Sequence, residues 1–133
     1  GNERLTVLPP WEITFENLAP GDVPIATAAV KHDVDYQKRR GIFHGVAEGL
    51  DPTVERRLLN QTRRVYRILK LDGYARVDWR LDHDGKPWFL EANPNAEIAR
   101  EEELASSAEH AGIEYGQLLT RFINLGLKRK REL

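Results

Sequence analysis

The chain has 133 residues and a formal net charge of −1, from 20 basic and 21 acidic side chains, with no cysteine. That is one domain's worth of sequence with a modest core; its charge balance gives no case for nonspecific nucleic-acid binding, and disulfides and cysteine-metal sites are excluded. No apolar run approaches the ~18 residues that would span a membrane, and no signal-peptide pattern opens the chain, so a cytoplasmic protein is the expectation.

In chain order, residues 5–15, "LTVLPPWEITF", predict two short strands around a Pro-Pro turn. "ENLAPGDVP" reads as a loop and "IATAAV" as a strand. "KHDVDYQKRRGIFHG" has no clean period and many charges, which predicts a long surface loop with room for a turn of helix; such loops are often functional. Asp51-Pro52-Thr53 opens the clearest helix, since Asp51 suits the N-cap and Pro52 the first helical position. Val54, Leu58, Val65, Ile68 and Leu69 recur at helical spacing, and Gly73 is the expected stop. "EEELASSAEHAG" predicts a shorter helix ended by Gly112. A further helix over 114–127 carries an apolar stripe of Tyr115, Leu118, Leu119, Phe122, Ile123 and Leu127. The basic tail "KRKREL" suits a helix C-terminus.

Between "YARVDWRL" and "KPWFLEAN" lies Asp84-Gly85, a strong two-residue hairpin signal. With that turn, His83 faces Lys86, Asp78 falls opposite Glu91, and Arg76 falls opposite Asn93. The period of two then sorts the faces. One carries Val77, Trp79, Leu81, Trp88, Leu90 and Ala92; the other carries Arg76, Asp78, Arg80, Phe89, Glu91 and Asn93. Two carboxylates, an amide oxygen and an arginine thus gather within cross-strand reach. Opposed like charges destabilise a sheet. Either an ion-pair network with Arg76 or Arg80 compensates them, or a hard divalent cation does, since Mg²⁺ takes carboxylate oxygens and is completed by water and substrate phosphates.

"GYARVDWRLDHDGKPWFLEANPN" resembles the C-terminal part of the ATP-grasp fold, in its D-alanine–D-alanine ligase branch. "GNERLTVLPPWEITF", "AVKHD" and "AEHAGIEYGQLLTRFINLGL" extend the resemblance in order over nearly the whole chain. It implies an α+β fold, an antiparallel β-sheet flanked by helices, forming the C-terminal lobe over residues 1–133. It also implies ATP and Mg²⁺ (or Mn²⁺) as cofactors. Carried over by motif, Asp78, Glu91 and Asn93 are the metal ligands. Arg76 stabilises the transferred phosphoryl group and the tetrahedral intermediate, and Lys31 reaches the γ-phosphate from a mobile loop. Apart from the motif, the place of Tyr36 in the loop after Lys31 would let it pack over a substrate. The implied activity is ATP-dependent ligation of a carboxylic acid to an amine, with amino acids the expected small-molecule substrates, no nucleic-acid or membrane partner, and a homodimer compatible with the family. The alternatives are a nucleotide-binding regulatory or pseudo-enzyme domain, and a structural domain whose acidic hairpin is salt-bridged.

Two departures stand out. After the asparagine, the family continues through a turn containing Gly and then a Ser, which help hold the substrate and its carboxylate; Glu97 and Glu102 stand there instead. Like charges repel, so these two either meet a cationic group of another substrate or sit on a solvated helix start. The second departure is length: enzymes of this fold place a further lobe and domain upstream. With no methionine and Gly1 at the start, the expectation is a fragment that is inactive alone. His32, His44, His83 and His110 have no zinc-site spacing and are expected at the surface or satisfied. Trp11, Trp79 and Trp88 are expected in the core.

Overall fold

The computed structural model describes residues 4–27, 30 and 33–129. Its elements run β1 (Trp11–Phe15), α1 (Val34–Arg40), β2 (Ile42–Val46), α2 (Pro52–Ile68), β3 (Arg76–Leu81), β4 (Pro87–Asn93), α3 (Glu103–His110) and α4 (Tyr115–Lys128). The expected α+β architecture with antiparallel pairing is present, but among the described residues the strands form two separate ribbons, β1–β2 and β3–β4.

Only the second of the two strands predicted over residues 5–15 forms. A proline has no N–H to give to a ladder, and the approach to Pro9-Pro10 is fixed otherwise: Ser107 Oγ donates to the Pro9 carbonyl at 2.8 Å, and the Ala47 amide donates to that of Pro10 at 3.0 Å. The strand predicted over "IATAAV" does not form at residues 25–27. The predicted loop over 31–45 holds α1 and β2 instead. Asp33 caps α1 by accepting from the Tyr36 amide at 2.8 Å. Gly41, with φ 56°, ends it in the left-handed conformation that favours glycine. β2 then pairs from Phe15↔Ile42 to Trp11↔Val46.

α2 begins as expected, with Asp51 Oδ1 accepting from the amides of Thr53 and Val54. It stops at Ile68, before Gly73; the Leu71 amide returns to the Tyr66 carbonyl, and Lys70 adopts φ 51°. The Tyr66 hydroxyl donates to the Gly73 carbonyl at 3.0 Å, which turns the chain into β3. The core centres on α3 and α4. Ala105 and Ala108 are fully buried with Ile113 and Leu118, and Leu8, Tyr115 and Phe122 pack around them. Tyr74 stacks on Phe122 at 4.3 Å between centroids, joining this core to the start of β3. Much apolar surface stays uncovered, including Ile68, Leu69, Leu90, Ile123 and Leu127.

The hairpin departs from its expected turn. The Asp82 amide donates to the Lys86 carbonyl and the Gly85 amide to that of Asp82, so the loop has three residues, His83-Asp84-Gly85, closed by Gly85 at φ 70°. Pairing starts as Leu81↔Pro87, Arg80↔Trp88 and Trp79↔Phe89. A bulge at Leu90 then shifts it to Asp78↔Glu91, Val77↔Ala92 and Arg76↔Asn93. The predicted face assignment therefore fails near the turn. Phe89 shares a face with Trp79 and meets it edge-on at 5.7 Å. Trp88 sits opposite Arg80 and is 52% exposed, not core; its ring lies under Lys86 Nζ at 4.1 Å. Trp79 does point inward, and its Nε1 donates to Thr62 Oγ1 on α2 at 3.0 Å.

Candidate metal and nucleotide site

Beyond the bulge the predicted pairs hold, and Asp78 stands directly across from Glu91. Arg76, two residues before Asp78 and so on the same face, binds it with both arms of the guanidinium fork: Nε to Oδ1 at 2.7 Å and Nη2 to Oδ2 at 3.0 Å. The same Nη2 lies 3.8 Å from Glu91 Oε1. On the other side, Nη1 lies 3.8 Å from Glu103 Oε2 at the start of α3. Glu103 Oε1 in turn lies 3.6 Å from His44 Nδ1 on β2. The hydrogen bond to Asp78 raises the Arg76 pKa from its ordinary value; partial burial opposes this, and the charges of Asp78, Glu103 and Glu91 reinforce it.

One arginine is thus set among three carboxylates from two strands and a helix. The ion-pair network expected as one way of compensating Asp78 and Glu91 is present, and Arg76 carries it. Arg80 does not take part, because its Nη1 donates to the Pro24 carbonyl at 2.6 Å. Asn93, opposite Arg76, accepts from the Asn95 amide at 2.9 Å through Oδ1. A carbonyl oxygen has a second lone pair, so that bond fixes the side chain without exhausting it. Asp78, Glu91 and Asn93 offer two carboxylates and an amide oxygen, a hard donor set suited to Mg²⁺ or Mn²⁺.

The remaining expected residues fall elsewhere. Lys31 and His32 lie outside the described residues. Tyr36 lines a small cleft of about 180 Å³ with Phe15, Leu18, Val23 and Ile42. Glu97 and Glu102 are both exposed; Glu102 precedes α3 without a side-chain capping bond. Glu103 and His44 were absent from the predicted set. Their link could not be found from spacing, since they join through α3 and β2, 59 residues apart in number. Asp82, His83 and Asp84 bring ligand atoms within 4.8 Å of one another, but Asp82 is spent on the turn, accepting from the Asp84 and Lys86 amides and Trp88 Nε1.

This lobe is similar to parts of solved structures. D-alanine–D-alanine ligase from Bacillus anthracis superposes with a TM-score of 0.67 at 27% identity, over 91% of this chain and 36% of that one. The same enzyme complexed with ATP matches at TM-score 0.61 and 32% identity, over 65% of this chain and 30% of that one. The fold is the C-terminal lobe of an ATP-grasp protein. The family described as "D-ala D-ala ligase C-terminus" matches residues 1–124, and the chain belongs to it. Among curated relatives, the D-alanine–D-alanine ligase of Nitrosomonas eutropha is 34% identical over 118 residues, covering 86% of this chain and 39% of its own. D-alanine–D-alanine ligase A of Bacillus cereus is 31% identical over 126 residues, covering 91% and 41%. The chain spans about two fifths of the length of these relatives.

Proposed function

We propose that this chain is the C-terminal ATP-grasp portion of an ATP-dependent carboxylate–amine ligase, and that it is inactive without the portion its relatives carry besides. The observation that carries the reading is the facing pair Asp78 and Glu91 under Arg76, in a chain of the ligase family.

The chemistry has two displacements. A carboxylate is a poor electrophile, so one of its oxygens first attacks the γ-phosphorus of ATP; the bond to the β-phosphate oxygen breaks, and ADP leaves. An amine then attacks the acyl carbon of the resulting acyl phosphate, inorganic phosphate departs, and the amine's proton is lost. Phosphoryl transfer needs positioning and charge neutralisation more than covalent help. Asp78, Glu91 and Asn93 would hold Mg²⁺ or Mn²⁺, which when bound neutralises phosphate charge and orients the nucleotide. Arg76 sits beside these ligands and would present guanidinium donors to the transferred group. Lys31 is proposed to reach the γ-phosphate. The substrates are proposed to be amino acids. Exposed Glu97 and Glu102, where the family resemblance leads one to expect Gly and Ser, argue for an acceptor other than D-alanine.

The test is phosphate release by a polypeptide carrying this chain at the length of its relatives, with Mg-ATP and pools of amino acids including D-alanine. Release dependent on one pool supports the ligase and begins to name its substrate. Dependence on D-alanine overturns the argument from Glu97 and Glu102. Nucleotide binding without stimulated release replaces the ligase with a regulatory domain. Turnover by the 133-residue chain alone refutes the claim of inactivity.

A further inference from the structure

The oxygens offered to the cation are the ones Arg76 already holds. Nε and Nη2 grip both oxygens of Asp78, and Nη2 also faces Glu91. A divalent cation on those carboxylates would share their oxygens with a guanidinium, and like charges a few ångströms apart repel strongly. Lysine could relieve this by losing a proton, but arginine cannot. The guanidinium must therefore move to other acceptors or oppose the cation.

The structure supplies one such acceptor. Glu103 Oε2 already lies 3.8 Å from Nη1, the nitrogen not committed to Asp78 or Glu91. Glu103 comes from α3, so its position does not depend on the strands that carry the ligands. Its side chain is only 27% exposed, and its other oxygen is 3.6 Å from His44 Nδ1 on β2. The carboxylate is thus aimed from outside the ligand set at the arm of Arg76 that neither Asp78 nor Glu91 holds.

We infer that Glu103 is a positioning residue that receives the Arg76 guanidinium when a divalent cation takes Asp78 and Glu91, keeping that arginine beside the phosphates. Arg76 then serves two carboxylate sets in turn: Asp78 with Glu91 before the cation arrives, Glu103 after it. This rests on the metal reading above, and it concerns a residue that the motif resemblance did not assign.

The test is Mn²⁺ binding by the whole chain, read from the electron paramagnetic resonance of free Mn²⁺, in a double-mutant cycle. Glu103→Gln should weaken Mn²⁺ binding about tenfold, the worth of one charge-assisted contact. In an Arg76→Gln background the same change should cost less than about twofold, because no guanidinium remains to be received. Glu103→Asp should keep most of the affinity. His44→Ala leaves Arg76 and its acceptors intact but frees Glu103 on one side; a loss of about threefold, seen only with Arg76 present, supports the same conclusion if Glu103→Gln fails to fold. An equal loss in both backgrounds reduces Glu103 to a distant negative charge and overturns the inference, as does no loss with Arg76 present. Mn²⁺ binding that is absent in the wild type, or unchanged by Asp78→Asn, sinks the metal reading itself and the inference with it.

Discussion

Gly85→Ala measures how firmly the hairpin is seated on α2. Gly85 has φ 70°, and a Cβ built there would lie 2.9 Å from Val54 Cγ2 on the first turn of α2. Two costs follow. Holding a residue with a Cβ in the left-handed region costs about 1–2 kcal/mol. A carbon pair at that distance sits well inside the ~3.5–4.0 Å of an optimal contact, and forcing a methyl group into a filled space costs about 1–3 kcal/mol. The sum is about 2–5 kcal/mol, enough to move the urea midpoint clearly at constant slope. Val54→Ala removes the obstructing methyl groups, so in that background Gly85→Ala should cost only the backbone term, about 1–2 kcal/mol. Urea unfolding of the four proteins followed by circular dichroism completes the cycle. An equal penalty with and without Val54 would refute the packing of the hairpin tip on α2, and a penalty under about 0.5 kcal/mol would refute the left-handed turn as well.

Leu118→Ala in the α3–α4 core, where the side chain is 4% exposed, should cost about 2–4 kcal/mol in the same unfolding assay. Thr62→Val removes the acceptor of Trp79 Nε1; about 1–2 kcal/mol of stability should go, with a shift in tryptophan fluorescence. Gln61→Met replaces a buried Oε1 that has no hydrogen-bond partner among the described residues, and should be neutral or stabilising by about 1 kcal/mol. Asp82 has its pKa lowered below 3.8 by hydrogen bonds from Trp88 Nε1 and the Lys86 amide, with a smaller share from the Asp84 amide. Its stabilising contribution is full above the unfolded value and is lost as pH falls through the lower folded value. The acid limb of a pH–stability curve should therefore be shallower in Asp82→Asn than in the wild type.

The legible parts of the fold were those with local chemical marks. Asp51 and Pro52 announced α2, and Gly112 ended α3, because caps and breakers act within a turn of the residue that carries them. The pairing of Asp78 with Glu91 was legible because a period of two admits few registers. α1 was missed although its marks were present: Asp33 and Gly41 bracket it, but seven residues are too few to display a helical period. β2 was missed because its pattern, buried only at Ile42 and exposed at Phe43 and His44, does not alternate. Trp88 was misplaced because one bulged residue moves every neighbour on its side to the opposite face. Glu103 was invisible for a different reason, since its meaning lies in a contact between helix and strand that no sequence window contains.

The bulge at Leu90 has a consequence for what this hairpin can tolerate. A two-residue turn with no bulge and a three-residue turn with one bulge deliver the same far pairs, Asp78 with Glu91 and Arg76 with Asn93. The strand thus holds one residue of slack between its tip and its charged end. A residue gained or lost at the turn can be taken up or released at Leu90, with the aromatic pairs near the tip changing faces and the carboxylates staying put. A change of one residue at the tip can therefore leave Asp78 opposite Glu91 and Arg76 opposite Asn93, while the pairs nearer the turn change partners.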